Sequence, residues 1–161
     1  MEFRILGPLQ VLDDGRFVPL GGGKQRATLA ILLLRRNEVV SRDQLIDGIW
    51  GASPPPTAGP TLNAYVSRLR SVLPEDGRGA RLTTQPPGYR LRVEPGELDL
   101  ERFETLLGHA RSALASGEAQ TGREALREAL CLFRGTPLED LTHAPFAQAE
   151  IGRLGRRGSA H

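Results

Sequence analysis

Apolar and polar positions at first alternate along the chain with a period near two. Phe3-Arg4-Ile5-Leu6 and Leu9-Gln10-Val11-Leu12 read as short strands, and Asp13-Asp14-Gly15 ahead of Phe17-Val18 is a hairpin turn signal, so a small antiparallel sheet is expected first. After the break Gly21-Gly22-Gly23 the period changes. Residues 24–36 read as a helix whose centre, Ala27-Thr28-Leu29-Ala30-Ile31-Leu32-Leu33-Leu34, is apolar on almost every side, as in a central, buried helix. In Ser41-Arg42-Asp43-Gln44 the Ser41 hydroxyl can take the Gln44 amide proton while the Gln44 side chain reaches back to the Ser41 amide, a capping box that starts a second helix. Leu45, Ile46, Ile49 and Trp50 form its apolar stripe, Gly51 suits its exit, and Pro54-Pro55-Pro56 forbids continuation. Pro60 fits the first turn of a third helix, where an amide proton would have no partner anyway, and that helix runs to about Leu73.

A turn-rich link, Pro74-Glu75-Asp76-Gly77-Arg78-Gly79, leads into Arg81-Leu82-Thr83-Thr84 and Tyr89-Arg90-Leu91-Arg92-Val93, joined at Pro86-Pro87-Gly88. This is a second hairpin, with Tyr89, Leu91 and Val93 facing helices and Arg90 and Arg92 facing solvent. Glu94-Pro95-Gly96-Glu97 marks a boundary beyond which strand signals stop. Phe103, Leu106, Leu107, Ala110 and Leu114 keep one face of a helix that Asp99 can cap. Ala125, Leu126, Ala129, Leu130 and Phe133 keep one face of another, with Thr121 and Glu124 at capping-box spacing and a start there or earlier. Two such helices split by Ser116-Gly117 are the unit of a helical repeat, although no full second copy follows. The expected organisation is a first domain over residues 1–95, a helical segment over 98–152, and a disordered tail over 153–161, where the apolar pattern is lost.

Composition fits this plan: 161 residues have room for two small units, and 39% hydrophobic with 25% charged residues belongs to a globular chain. No apolar run approaches the ~18 residues of a membrane span. Residues 1–12 lack the basic leader and apolar core of an export signal, so a cytoplasmic chain without membrane contact is expected. Cys131 has no second cysteine to pair with and, within Ala129-Leu130-Cys131-Leu132-Phe133, reads as a core residue. Lys24 is the one lysine among 21 basic residues, an arginine bias that a GC-rich genome produces by itself. The distribution of charge says more. Residues 1–97 carry 13 basic and 10 acidic side chains against 8 and 9 in residues 98–161, and residues 60–92 hold six arginines against Glu75 and Asp76. A modest basic patch of this kind suits a polyanion.

The third helix carries the most specific chemistry. On a helical wheel Leu62, Val66, Leu69, Val72 and Leu73 cluster on one side with Tyr65 at the flank. Opposite them lie Asn63, Ala64, Ser67 and Ser71, edged by Arg68 and Arg70, with no acidic residue. A helix entering the major groove needs small side chains where bases come close, donors for base edges, and arginines for phosphates or guanine. Asn63 can read an adenine edge in bidentate fashion and Arg68 or Arg70 can take guanine or a phosphate, each specific contact discriminating by ~1–3 kcal/mol. Any amphipathic surface helix shows a polar face too. The order of elements separates the two readings: buried helix, capped helix, polar-faced helix and arginine-bearing hairpin describe a winged helix. Enzymatic signals are absent by spacing. Gly21-Gly22-Gly23-Lys24 is followed by Gln25 and has no glycine five positions before Gly23, which fails the phosphate-loop pattern. His109, His143 and His161 have no ligand-spaced partners for a metal and no catalytic companions.

Phe3-Arg4-Ile5-Leu6-Gly7-Pro8-Leu9, Gly23-Lys24-Gln25-Arg26-Ala27, Asn37-Glu38-Val39-Val40-Ser41-Arg42-Asp43-Gln44-Leu45-Ile46, Tyr65-Val66-Ser67-Arg68-Leu69-Arg70 and Pro86-Pro87-Gly88-Tyr89 together resemble the Streptomyces antibiotic regulatory proteins, to about residue 151. The resemblance implies an α+β chain: an OmpR-type winged helix-turn-helix with an N-terminal antiparallel sheet, three helices and a C-terminal wing hairpin, then a short all-α, tetratricopeptide-like segment that begins a bacterial transcriptional activation domain. It implies a sequence-specific regulator, not an enzyme, that binds double-stranded promoter DNA at direct repeats, as a homodimer on them, and recruits RNA polymerase to activate a biosynthetic gene cluster for a secondary metabolite. No cofactor or metal is implied, and the location is the cytoplasm, at the nucleoid. Carried over by position, the recognition helix supplies Thr61, Asn63, Ser67, Arg68 and Arg70, and the wing supplies Arg81, Thr83 and Gln85. The loop Ala52, Ser53, Pro54, Pro55, Pro56, Thr57, Ala58 and Gly59 faces polymerase. The competing reading is a protein-interaction module, in which the C-terminal helices dock a partner and the winged helix is a scaffold.

Overall fold

The computed structural model describes residues 1–147 and 150. Strands β1 (Glu2–Arg4), β2 (Gln10–Asp13) and β3 (Arg16–Phe17) form an antiparallel sheet in chain order, with Phe3 opposite Val11 and Leu12 opposite Phe17. The β2–β3 turn uses Asp14 and Gly15 at φ of 53° and 80°, the pair of left-handed residues that a two-residue hairpin demands. Helix α1 (Gly23–Leu34) follows and runs through the centre, where Leu29, Ala30, Leu32 and Leu33 are wholly buried. On it pack α2 (Arg42–Trp50) and α3 (Ala58–Val72).

The capping box forms as the sequence anticipates, with the Gln44 amide donating to Ser41 Oγ and the Ser41 amide to Gln44 Oε1, each at 3.0 Å. Gly51, at φ 71°, ends α2. Trp50 and Tyr65 then stack across α2 and α3 with centroids 6.2 Å apart.

A second sheet has the order β4-β6-β5, built from β4 (Val39–Ser41), β5 (Leu82–Gln85) and β6 (Gly88–Leu91), all antiparallel. Strand β4 is not foreseen in the sequence. Three residues ahead of a helix cap are too few to show alternation, and the strand exists because β6 supplies a partner, Val40 lying opposite Tyr89 and Ser41 opposite Gly88. Gly88 is a strand residue here, not part of the turn. A Cβ on it would stand 1.9 Å from the Val40 carbonyl oxygen, so only glycine permits this approach.

Beyond the hairpin, α4 (Asp99–Ala115) and α5 (Ala119–Leu130) form an antiparallel pair. Gly122 abuts Leu114 near their turn, and Phe103 meets Phe133 edge-on at 5.2 Å at the other end. Three local expectations are corrected here. Asp99 does not cap α4. It is the first residue of the helix, buried, and its carboxylate instead accepts the amides of Ile5 and Leu6, each at 2.9 Å. Helix α5 already begins at Ala119, so Thr121 caps nothing. Cys131 is exposed and not in the core, because α5 stops at Leu130 and the residues that pack here are Ala129 within the helix and Leu132 and Phe133 beyond it.

These contacts join the two segments through one apolar core. Phe3 donates its amide to Glu97 O at 2.7 Å, and the amides of Arg134 and Leu138 reach Leu6 O and Gly7 O, each at 2.8 Å. Asp140, in a 3-10 turn (Glu139–Leu141), accepts from the Leu9 amide and from Arg26 Nε of α1, both at 3.0 Å. The tail expected over 153–161 lies outside the described residues. Among the described residues no helix is long and apolar enough to cross a membrane.

Candidate nucleic-acid interface

Helix α3 has one face in the core and the other in solvent. Leu62, Val66 and Leu69 are at most 2% exposed and press on α1, so a register half a turn away is excluded. The opposite face presents Asn63, Ser67, Arg68, Arg70 and Ser71, all exposed, with Thr61 and Ala64 half-buried at its edges. The sequence-derived helix residues therefore meet on one surface. Ser71 turns its hydroxyl back to the Arg68 carbonyl at 2.7 Å, while Arg70 leans to the hairpin, donating to Leu82 O and Thr84 Oγ1 at 3.0 Å each.

The hairpin arrives differently from expectation. Directly opposed residues of β5 and β6 share a face, so Thr84 and Tyr89 look toward α3, while Thr83, Gln85 and Arg90 lie on the other side. Thr83 and Gln85 contact each other at 3.4 Å, away from the helix. The expectation for Arg81 is corrected. Its side chain is 6% exposed, its two Nη atoms fork onto Glu97 Oε1 and Oε2 at 2.7 Å each, and its Cζ lies 5.9 Å from the Phe3 ring centroid. A charge so buried is retained because it is paired in bidentate fashion, and it braces the foot of the hairpin against the N-terminal strand.

Ala58 and Gly59 are corrected too: they are helical residues of α3, and Ala58 is buried. The loop between α2 and α3 thus comprises residues 52–57, of which Ala52, Ser53, Pro54, Pro56 and Thr57 are exposed and Pro55 is half-buried.

The arginines of residues 60–92 divide by partner. Arg78 pairs with Glu94 at 2.9 Å, Arg81 with Glu97, and Arg92 with Asp76 at 2.8 Å and Glu94 at 2.6 Å. The hydrogen bond from Arg92, helped by the Arg78 amide, holds the Asp76 carboxyl below its ordinary range, and the same contacts from Asp76 and then Glu94 raise Arg92. At Glu97 burial works against ionisation, but the bond from Arg81, the Glu94 amide and the Arg81 charge outweigh it, so its pKa is lowered. Arg68, Arg70 and Arg90 have no carboxylate at ion-pair distance among the described residues, nor does Arg42. Within residues 60–92 the arginines without a carboxylate partner therefore lie on α3 and β6, with Arg42 of α2 bonded to Tyr89 of β6.

Arg42 is the residue that sequence reasoning missed. It opens α2, donates to the Tyr89 hydroxyl at 2.9 Å and to Gly59 O at 3.3 Å, and bonds Asn63 Oδ1, tying α2, α3 and β6 together. A signal was present: a cation in the first turn opposes the helix dipole, which favours acids there, so an arginine at that place needs a partner elsewhere.

Two family descriptions match the chain, "Transcriptional regulatory protein, C terminal" over residues 19–91 and "Bacterial transcriptional activator domain" over residues 98–159. Transcriptional regulatory protein MoaR1 of Mycobacterium tuberculosis is 40% identical over 151 residues, covering 92% of this chain and 49% of that protein. Regulatory protein AfsR of Streptomyces coelicolor is 37% identical over 96% of this chain and 15% of its own length, and regulatory protein DnrI of Streptomyces peucetius 32% over 96% and 59%. Among solved structures, Mycobacterium tuberculosis EmbR in complex with a low-affinity phosphopeptide superposes with a TM-score of 0.92 at 37% identity, over 99% of this chain and 42% of that one. The chain thus spans about half the length, or less, of most of the relatives it matches.

Proposed function

Because the chain belongs to the Streptomyces antibiotic regulatory protein family, a family of transcriptional regulators, we propose that it binds double-stranded promoter DNA by laying α3 in the major groove. The observation that carries this reading is the exposed, acid-free face of α3, where Arg68 and Arg70 stand beside Asn63 and Ser67 without a carboxylate partner among the described residues. Held by Leu62, Val66 and Leu69, that face is rigid, and a groove-reading side chain needs such a base. Arg68 and Arg70 supply phosphate or guanine contacts, Ser67 and Thr61 short polar contacts, and the hairpin end at Thr83 and Gln85, with Arg90 behind it, a flanking backbone contact.

At the finer level the chain acts as an activator of a biosynthetic gene cluster. Two copies sit on direct repeats, and the exposed loop of residues 52–57 faces RNA polymerase. The location is the cytoplasm, at the nucleoid. The organisation proposed is the DNA-binding domain over residues 1–95 with the start of an activation domain over 98–152.

A gel-shift series on promoter fragments across salt concentrations tests this. Expected is a retarded band whose log affinity falls linearly with log salt, by about 0.9 for each phosphate neutralised. A scaffold that only docks proteins through α4 and α5 gives no band beyond weak, sequence-independent retardation.

A further inference from the structure

The acceptor side of Asn63 is already engaged inside the protein. Its Oδ1 takes a hydrogen bond from Arg42 Nη1 and a second from the Tyr89 hydroxyl at 2.8 Å. A carbonyl oxygen has two lone pairs, and here each has a donor. The amide cannot be turned over, because a guanidinium is donor-only and the flip would set NH2 against it. Nor is the arrangement one loose side chain's choice. Arg42 is itself fixed by Tyr89 Oη and Gly59 O, Tyr89 is 6% exposed in β6, and the three partners come from three elements. Asn63 is exposed, and among the described residues no group takes its Nδ2 protons.

We propose that Asn63 reads the duplex as a donor only, and that Arg42 and Tyr89 are the positioning residues that make it favour guanine over adenine at its base pair. This rests on the DNA-binding reading above. Bidentate recognition of adenine needs the side-chain oxygen to accept from N6 while the nitrogen donates to N7. With Oδ1 engaged, the adenine amino group meets an oxygen that has no lone pair to offer. Guanine presents N7 and O6, two acceptors, to the one NH2 group that Asn63 turns outward. The adenine contact read from the residue type alone is replaced by a guanine contact read from its surroundings.

Selection from a pool of randomised duplexes with the full chain tests this, comparing the parent with Asn63→Ala, Tyr89→Phe and Arg42→Gln, each checked for folding by circular dichroism. The parent is expected to select guanine at one position where Asn63→Ala shows no preference. Tyr89→Phe keeps the ring and removes one donor, and Arg42→Gln replaces the donor-only guanidinium that fixes the Asn63 amide by a shorter side chain that can also accept. Each should shift that single position toward adenine severalfold and leave the remaining positions unchanged, which a general loosening of the fold does not do. Should Arg42→Gln fail to fold, Tyr89→Phe carries the test alone. The proposal is overturned if Asn63→Ala erases an adenine preference, if it erases none, as a phosphate contact would give, or if guanine is retained unchanged in the folded Tyr89 and Arg42 variants. A parent chain that enriches no sequence overturns the DNA-binding reading itself, and this inference with it.

Discussion

Arg68 and Arg81 stand thirteen positions apart and do opposite work. Arg68 is exposed and without a carboxylate, so its charge is available to a partner, whereas Arg81 is spent on Glu97. Replacing Arg68 with Ala should leave the urea midpoint within about 0.5 kcal/mol of the parent, as for surface positions generally. The same variant should lower DNA affinity and reduce the salt slope by about 1 in an anisotropy titration. Leu69, wholly buried one residue on, should cost roughly 2–5 kcal/mol as Leu69→Ala in the same melt. Glu97 gives a pH expectation. Its pKa is lowered in the fold, so its stabilising contribution is complete above the ordinary glutamate value of about 4.3 and is lost as pH falls through that value toward the folded one. Glu97→Gln should therefore lower the melting temperature at neutral pH and flatten the fall on the acid side; an unchanged acid limb counts against the Arg81 pairing. The helix side of the site was legible because the 3.6-residue period decides which residues face out. Arg81 was not, since only the fold brings Phe3 and Glu97 to cover it.

Among the elements, the capping box of α2 could be read in full because all its partners lie within four residues. Strand β4 and the role of Asp99 could not, since each depends on a partner far along the chain: β6 for the one, the amides of Ile5 and Leu6 for the other. Gly88 is where the elements of the site meet, because β6 crosses β4 there at the entrance to α2. Gly88→Ala sets its Cβ against the backbone of Val40 and Ser41, which cannot move aside as a side-chain end can. The expected result is a clear loss of melting temperature together with weakened DNA binding, because Tyr89 and Thr84 are displaced from α3. Normal stability and affinity in this variant would mean that β4 and β6 do not lie this close.

For the molecule as a whole, the turn at residues 94–97 divides two styles of secondary structure without dividing the core. Asp99, Leu138 and Asp140 all bond to the segment between β1 and β2, so the helical part closes the end of the first sheet. The change of period at the boundary was visible in the sequence; the shared core was not, because periodicity shows that a face is apolar and not what covers it. One cooperative urea transition is expected for the chain, and a fragment of residues 1–97 should unfold at lower urea, having lost the partners of the Ile5 and Leu6 amides, each unmet buried amide costing about 1–3 kcal/mol. Equal stability of fragment and chain would contradict the shared core. The central claim, that α3 enters the duplex, is tested most directly by titrating the 15N-labelled chain with a duplex recovered by selection and following its amide resonances. The account predicts that the largest shifts fall on residues 60–71 and on the hairpin end at 84–90, with α4 and α5 little affected. Shifts confined to α4 and α5, with α3 silent, would contradict it.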